Sequence, residues 1–176
     1  NAKVNLANGT TFKTKKGSNA QINWNIVNNA TALQNMNSNK SGNYVVGSNI
    51  DLSSIPNWTA VGDNTNEFTG KFDGLGHTIS NLTIDKSGSN YQGLFGYTSG
   101  ATIKNIGLEN VKITGESGVG ALVGYNTNNS TISNSYASGT VSGNDYVGGL
   151  VGLNYYSTVS NSYATVSVNG NNRVGG

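Results

Sequence analysis

The chain has 176 residues, enough for one domain and awkward for two, and a formal net charge of +2. Charged residues make up only 10% and hydrophobic residues 35%, against a typical quarter and nearly half. There is no cysteine, so disulfides and thiolate metal sites are excluded, and no stretch approaches the roughly 20 apolar residues of a membrane span.

Asparagine and glycine fill the gap, with 30 and 25 copies. Low hydrophobicity signals disorder only when high net charge and a shortage of aromatic and β-branched residues accompany it. Here there are nine Tyr, and Val, Ile and Thr run throughout. That pattern predicts thin, repeated β-structure with a narrow core. Neither a nucleic-acid partner nor membrane insertion is expected.

Residues 1–28 hold short alternating runs, Lys3-Val4-Asn5-Leu6 and Ala20-Gln21-Ile22-Asn23-Trp24, bounded by Asn8-Gly9 and Lys16-Gly17. Such runs between turn dipeptides read as strands. Lys13, Lys15 and Lys16 read as a solvated turn in preference to an anion-binding patch. The N-terminus resembles neither a signal peptide nor an initiator start, which predicts a mature or excised segment. One short helical turn is predicted near residues 30–36, where Asn29 or Thr31 can cap and Leu33 and Met36 share a face. Strand patterning resumes at Tyr44-Val45-Val46 and Ile50-Asp51-Leu52.

One phrase then recurs. Gly93-Leu94-Phe95-Gly96 returns as Ala121-Leu122-Val123-Gly124 and as Gly149-Leu150-Val151-Gly152, with the leucines 28 residues apart each time. A companion phrase gives Asn81, Asn105, Asn134 and Asn161, each preceded by an Ile or Leu-like position two residues back: Ile79, Ile103, Ile132 and Val159. Fixed-period similarity of this length marks a solenoid. Runs of three to five residues are too short for useful hairpins, yet stacked on their counterparts they make parallel ladders about 4.8 Å apart. The expectation is an all-β chain folded as a right-handed parallel β-helix, a solenoid of about three short strands per coil and about seven coils. Leu94, Leu122 and Leu150 should form one inward column, and Ile79, Ile103, Ile132 and Val159 another. The repeated Asn fits left-handed turns and side-chain ladders. Gly96, Gly124 and Gly152 fit corners of positive φ. The solenoid is read as one segment, 1–176, comprising N-terminal coils (1–57), a pre-repeat block (58–92) and the repeats (93–176). Because Arg173-Val174-Gly175-Gly176 opens a further echo, the native protein is predicted to continue.

The Leu-Phe-Gly and Leu-Val-Gly phrases with their Ile-x-Asn companions resemble the GLUG motif, which also occurs in IgA-specific metallopeptidases and other surface proteins. Residues 58–79, from Trp58 to Ile79, resemble the block that precedes GLUG repeats in large bacterial surface proteins. Ala32 to Met36 and Ser41 to Ser53 resemble filamentous-haemagglutinin-like exoproteins of two-partner secretion systems. The resemblance implies a secreted, cell-surface adhesin, an outer-membrane transporter as export partner, and a host-cell receptor or glycan as target.

Catalytic chemistry is not expected, and no cofactor or metal. His77 is the sole histidine; paired with Asp73 it could act as a base, but no nucleophile or second histidine joins it, and a structural role is expected. No His-Glu-x-x-His zinc motif exists. The eight acids are scattered out of register, although two on neighbouring coils could meet as in a β-helical polysaccharide-degrading enzyme. Alternatively the segment is the non-catalytic repeat region of a surface peptidase. The candidate ligand surface lies where the echo breaks: Tyr97, Tyr125, Asn126, Asn128, Tyr146, Tyr155 and Tyr156. Aromatic faces beside amides suit sugars; a stack that only stabilises the solenoid is the competing reading. Among the Asn-x-Ser/Thr sequons, Asn128 and Asn129 are candidate glycosylation sites, a point an intact mass checks.

Overall fold

A computed structural model describes residues 3–175. Its strands stack as a β-solenoid of about five turns, with one short helix. The seven turns expected from the sequence reduce to about five, a rise of roughly 24 Å at about 4.8 Å per turn. The difference lies at the N-terminus. Lys3 to Leu6 form no strand, and Phe12–Thr14 turns back antiparallel on Ile22–Val27 instead of adding a coil.

Each regular coil shows four faces where the sequence suggests about three. Face 1 stacks Ile22–Val27, Asn43–Val46, Lys71–Asp73, Thr102–Lys104, Thr131–Ser133 and Thr158–Ser160. Face 2 stacks Ile50–Asp51, Thr78–Ser80, Gly107–Thr114, Tyr136–Ser142 and Tyr163–Asn169. Face 3 is Ser117–Gly120, Asp145–Gly148 and Asn172–Gly175; face 4 is Phe95–Ser99, Val123–Thr127 and Val151–Asn154. The extra face is the glycine-rich run before each leucine phrase. Every pairing between coils is parallel.

The helix, α1 (Ala30–Gln34), continues as a 3-10 turn over Asn35–Ser38. Asn29 caps it, its side-chain oxygen accepting from Ala32 N at 2.8 Å. Leu33 and Met36 are completely buried, so the helix covers one side of the core at the wide early coils.

Leu94, Leu122 and Leu150 stack as expected, joined by Leu94 N donating to Ala121 O and Leu122 N to Leu150 O. The companion column needs correction. Above Ile103, Ile132 and Val159 stands Phe72, while Ile79 belongs to face 2 with Ile50, Leu108, Ala137 and Ala164. The Ile-x-Asn phrase marks a kind of corner, and this fold has that corner on two faces.

The asparagines behave as turn residues: Asn81, Asn105, Asn134 and Asn161 have φ of 60°, 56°, 51° and 48°. They form two ladders. Asn134 Nδ2 donates to Asn105 Oδ1 at 3.2 Å, and Asn105 Nδ2 to Asp73 Oδ1 at 2.9 Å. On the other corner Asn110 Nδ2 donates to Asn81 Oδ1 at 2.7 Å, and Asn81 Nδ2 to Asp51 Oδ1 at 2.8 Å.

The glycines are corrected too. Gly96, Gly124 and Gly152 lie within strands of face 4 and are absent from the residues with positive φ. Their requirement is space. A Cβ on Gly124 would sit 2.7 Å from Gly118 O, from Gly96 O and from the carbonyl carbon of Tyr91. Faces 3 and 4 thus meet backbone against backbone. The left-handed corner is elsewhere, at the stacked positions Tyr91, Gly118, Tyr146 and Arg173, with φ of 57°, 66°, 50° and 48°.

Candidate ligand surface

The expected site residues divide into three groups. Tyr97, Tyr125 and Leu153 stack in one register on face 4, as their shared repeat position requires. Tyr91 joins them from the left-handed corner. Its ring stacks on Tyr125 at 5.7 Å and meets Tyr97 edge-on at 5.2 Å, and Tyr97 meets Tyr125 edge-on at 4.6 Å. Sequence reasoning missed Tyr91 because the first copy of the repeat has no preceding echo to align it. Burial, followed by the neighbouring Tyr125 and Tyr91, raises the pKa of Tyr97. The three rings are half-buried, so part of each is available to a partner.

Tyr155 and Tyr156 extend this strip into solvent. They are 50% and 75% exposed and contact each other edge-on at 4.3 Å. Tyr155 N donates to Asn126 O at 2.8 Å, which fixes the corner beside Tyr125. Two large rings held in water by a backbone bond form a surface with contact area to offer. Tyr146 stands apart on the face 3 corner. The Arg173 guanidinium lies 4.5 Å over its ring and is paired with Asp145 at 2.8 Å.

Asn126 does not belong to the surface. It is fully buried, in the column that begins with Phe68 and runs through Thr98 to Asn154. Thr98 Oγ1 donates to Asn126 Oδ1 at 2.7 Å, and Asn126 Nδ2 to Asn154 Oδ1 at 2.8 Å. An interior amide paired on both sides avoids the cost of a buried, unbonded polar group.

Asn128 and Asn129 are exposed with φ of 54° and 61°. Asn128 Nδ2 donates to Ser99 Oγ at 3.0 Å. The hydroxyl of Ser130, which completes the Asn128 sequon, is buried and donates to Thr127 O at 2.6 Å.

His77 and Asp73 are not brought together as a catalytic pair. The imidazole is 2% exposed, with Nδ1 3.2 Å from Asn49 Oδ1 and Nε2 3.0 Å from Val4 O. Asp73 takes Asn105 and the Leu75 N–H on one oxygen and pairs with Lys104 at 3.1 Å through the other. Other acids terminate ladders or turns in the same way: Asp51 under Asn81, Asp63 under Thr65, Glu109 under the Tyr136 hydroxyl, Glu116 under Asn144. Among the described residues no group of three or more His, Cys, Asp or Glu is placed to hold a metal ion. Asp51, Asp73, Glu109, Glu116 and Asp145 bond a neighbouring coil, whereas Asp63 fastens its own turn.

Stacked coils, asparagine corners and backbone-packed glycine faces define a GLUG-type repeat solenoid, and the GLUG motif itself matches residues 143–169. The chain belongs to the M26 IgA1-specific metallo-endopeptidase N-terminal region family, whose profile matches residues 2–139. Halomucin of Haloquadratum walsbyi is 44% identical over 131 residues, covering 69% of this chain and 1% of that protein. An immunoglobulin A1 protease of Streptococcus pneumoniae is 30% identical over 149 residues, covering 82% of this chain and 7% of the protease. A crystal structure from Bacteroides ovatus, named for the immunoglobulin A1 proteases, superposes with a TM-score of 0.67 over 85% of this chain and 49% of its own, at 24% identity. That likeness shows the shared fold. The chain spans only a small part of the curated relatives it matches.

Proposed function

We propose that this segment is a non-catalytic repeat region of a secreted, surface-exposed protein of the immunoglobulin A1 protease class. Its work is mechanical: a stiff solenoid that spaces neighbouring parts and displays its corners. The observation that carries this reading is the family match over residues 2–139, to the N-terminal region of IgA1-specific metallo-endopeptidases. The commitment of Asp51, Asp73, Glu109, Glu116 and His77 to internal bonds supports it. Incubating immunoglobulin A1 with chain 1–176 tests it: the expected result is an intact antibody. Cleavage by this chain would overturn the proposal, and so would turnover of a polysaccharide.

A second, adhesive reading rests on the tyrosine strip. Tyr155 and Tyr156 stand in solvent beside Tyr125, and such rings anchor contacts to host-cell receptors. Binding of the chain to host cells, lost in a Tyr155→Ala/Tyr156→Ala variant, would support it. Unchanged binding in that variant would remove it. Export through an outer-membrane transporter, which the exoprotein resemblance implies, is a separate proposal on which neither reading depends.

A further inference from the structure

One segment runs across the coils instead of within them. Residues 4–6 form no strand, yet they bridge three successive levels at the corner that follows the strands of face 1. Asn28 Nδ2 donates to Leu6 O at 2.8 Å on the first level. Leu6 N donates to Gly47 O at 2.9 Å on the second, and Val4 N to Leu75 O at 3.3 Å on the third. The seat is tight: a Cβ on Gly47 would lie 2.6 Å from Leu6 O. It is not an apolar seat, since Val4 is 45% exposed. Hydrogen bonds hold this strap, and a segment held that way opens more readily than the packed coils beneath it.

His77 grips the end of the strap. Its buried ring places Nε2 3.0 Å from Val4 O and Nδ1 3.2 Å from Asn49 Oδ1. Both partners are acceptors. A backbone carbonyl can be nothing else, and Asn49 is oriented by Thr78 N and Lys3 Nζ, each donating to its Oδ1 at 3.2 Å. A neutral imidazole has one N–H and one lone pair, so either tautomer turns a lone pair toward an oxygen; only the imidazolium donates to both. Burial disfavours a charged ring, and two acceptors aimed at its nitrogens offset that cost. The carboxylates on the surrounding elements are engaged elsewhere: Asp73 by Lys104 and Asn105, Asp51 by Asn81, Glu109 by the Tyr136 hydroxyl. Lys3, the cation that shares Asn49, is exposed, where water and salt screen it.

We propose that His77 is a pH-operated latch, which as the imidazolium clamps the strap across three coils and on losing its proton lets the strap go. Deprotonation removes one of the two ring bonds and sets a lone pair against Val4 O or Asn49 Oδ1. Histidine is the side chain whose charge ordinarily changes between about pH 5 and 8. The strapped form holds the extra proton, so the strap is firm in acid and loosens as pH rises through the imidazole titration. Release uncovers the corner at Asn28, Gly47 and Leu75 while the coils keep their ladders. The latch is independent of the tyrosine strip, and its failure would leave the non-catalytic solenoid standing.

The test is amide hydrogen exchange on chain 1–176 at about pH 5 and about pH 8, with rates corrected for the intrinsic effect of pH. Leu6 N–H should be at least about fivefold better protected in acid, the equivalent of one net hydrogen bond. Leu122 N–H, bonded to Leu150 O in the core, should be equally protected at both values. Nitrogen chemical shifts should show both ring nitrogens of His77 protonated in acid. His77→Gln, which takes up no proton, should abolish the pH dependence at Leu6. Asn49→Asp keeps an acceptor for Thr78 N and sets a charge opposite the ring, so release should move to higher pH. Equal protection of Leu6 at the two pH values overturns the proposal, and so does a ring that is neutral in acid. A loss at Leu122 that parallels Leu6 overturns it too, because the opening is then global. These three outcomes are read on the parent chain, whether or not either variant folds; a folded His77→Gln that keeps the parent's pH dependence is a fourth.

Discussion

The early coils are wide and filled with rings; the later coils are narrow and closed by glycine. On face 1 the inward column runs Tyr44, Phe72, Ile103, Ile132, Val159, and on face 2 it runs Ile50, Ile79, Leu108, Ala137, Ala164. On face 4 Phe95 gives way to Val123 and Val151. Trp58, Phe68, Phe72 and Phe95 are all completely buried, and Phe68 contacts Phe95 at 4.8 Å between ring centres while Phe72 contacts it edge-on at 5.3 Å. Among the described residues, no aromatic after Phe95 is fully buried in the core. The solenoid tapers. Where the core is thick, many side-chain sets fill it and the sequence does not repeat; where two backbones touch, only glycine fits and repetition becomes strict.

The largest effect should therefore fall in the wide half. Phe72→Ala removes a ring buried between two coils and should cost about 3–5 kcal/mol. Val159→Ala, in the same column but 38% exposed, should cost well under half of that. Urea unfolding of both variants compares them; equal losses would contradict the taper. Next comes the glycine contact. Gly124→Ala places a Cβ 2.7 Å from three backbone atoms and should cost about 2–3 kcal/mol. Gly88→Ala, with nothing within 4 Å and an ordinary φ, should change stability by less than about 0.5 kcal/mol.

A smaller effect separates the two things an asparagine does at its corner. Asn134 holds φ at 51° and donates to Asn105. Asn134→Ala loses both the tolerance for left-handed backbone and the ladder bond, about 1–2 kcal/mol. Asn134→Gly keeps the backbone freedom and loses only the bond, so it should fall closer to the parent chain. Thermal melts that rank alanine above glycine would show that the corner geometry has been misassigned.

These residues also show what could be read from the sequence. The 28-residue echo gave the solenoid, the leucine column, the Tyr97–Tyr125 register and the left-handed asparagines, because each is a local property repeated at a fixed spacing. What stayed hidden is non-local. The demand on Gly124 comes from Gly118 and Tyr91 across the coil, not from its own φ. The face to which Ile79 belongs depends on which coil lies above it, and two faces share one corner phrase. Asn126 follows Tyr125 directly and looks equally available, yet the strand turns it inward onto Thr98. Of the expected ligand surface, Tyr97 and Tyr125 are adjacent along face 4, Tyr155 and Tyr156 lie at the corner just past its last strand, and Tyr146 is on another corner.

The mildest test concerns pH and the narrow half alone. Tyr136 and Tyr163 stack at 5.4 Å with nearly parallel rings, and the Tyr136 hydroxyl donates to Glu109 at 2.8 Å across one coil. Burial first, then the bond to Glu109 and its charge, push the Tyr136 pKa from 10.0 up to about 12. The folded chain thus favours the neutral phenol. The stabilisation is complete below pH about 10, the unfolded value, and is lost as pH rises through about 12. An ultraviolet titration should show a phenolate appearing near pH 12 that Tyr136→Phe removes. Glu109→Gln should bring that titration to lower pH, because it takes away the carboxylate charge that opposes a phenolate. Should the high-pH step persist in Tyr136→Phe, the ring pair does not sense its neighbouring coil. The contact between these two coils at Tyr136 would then rest on the backbone ladder and the ring stack, without the bond to Glu109.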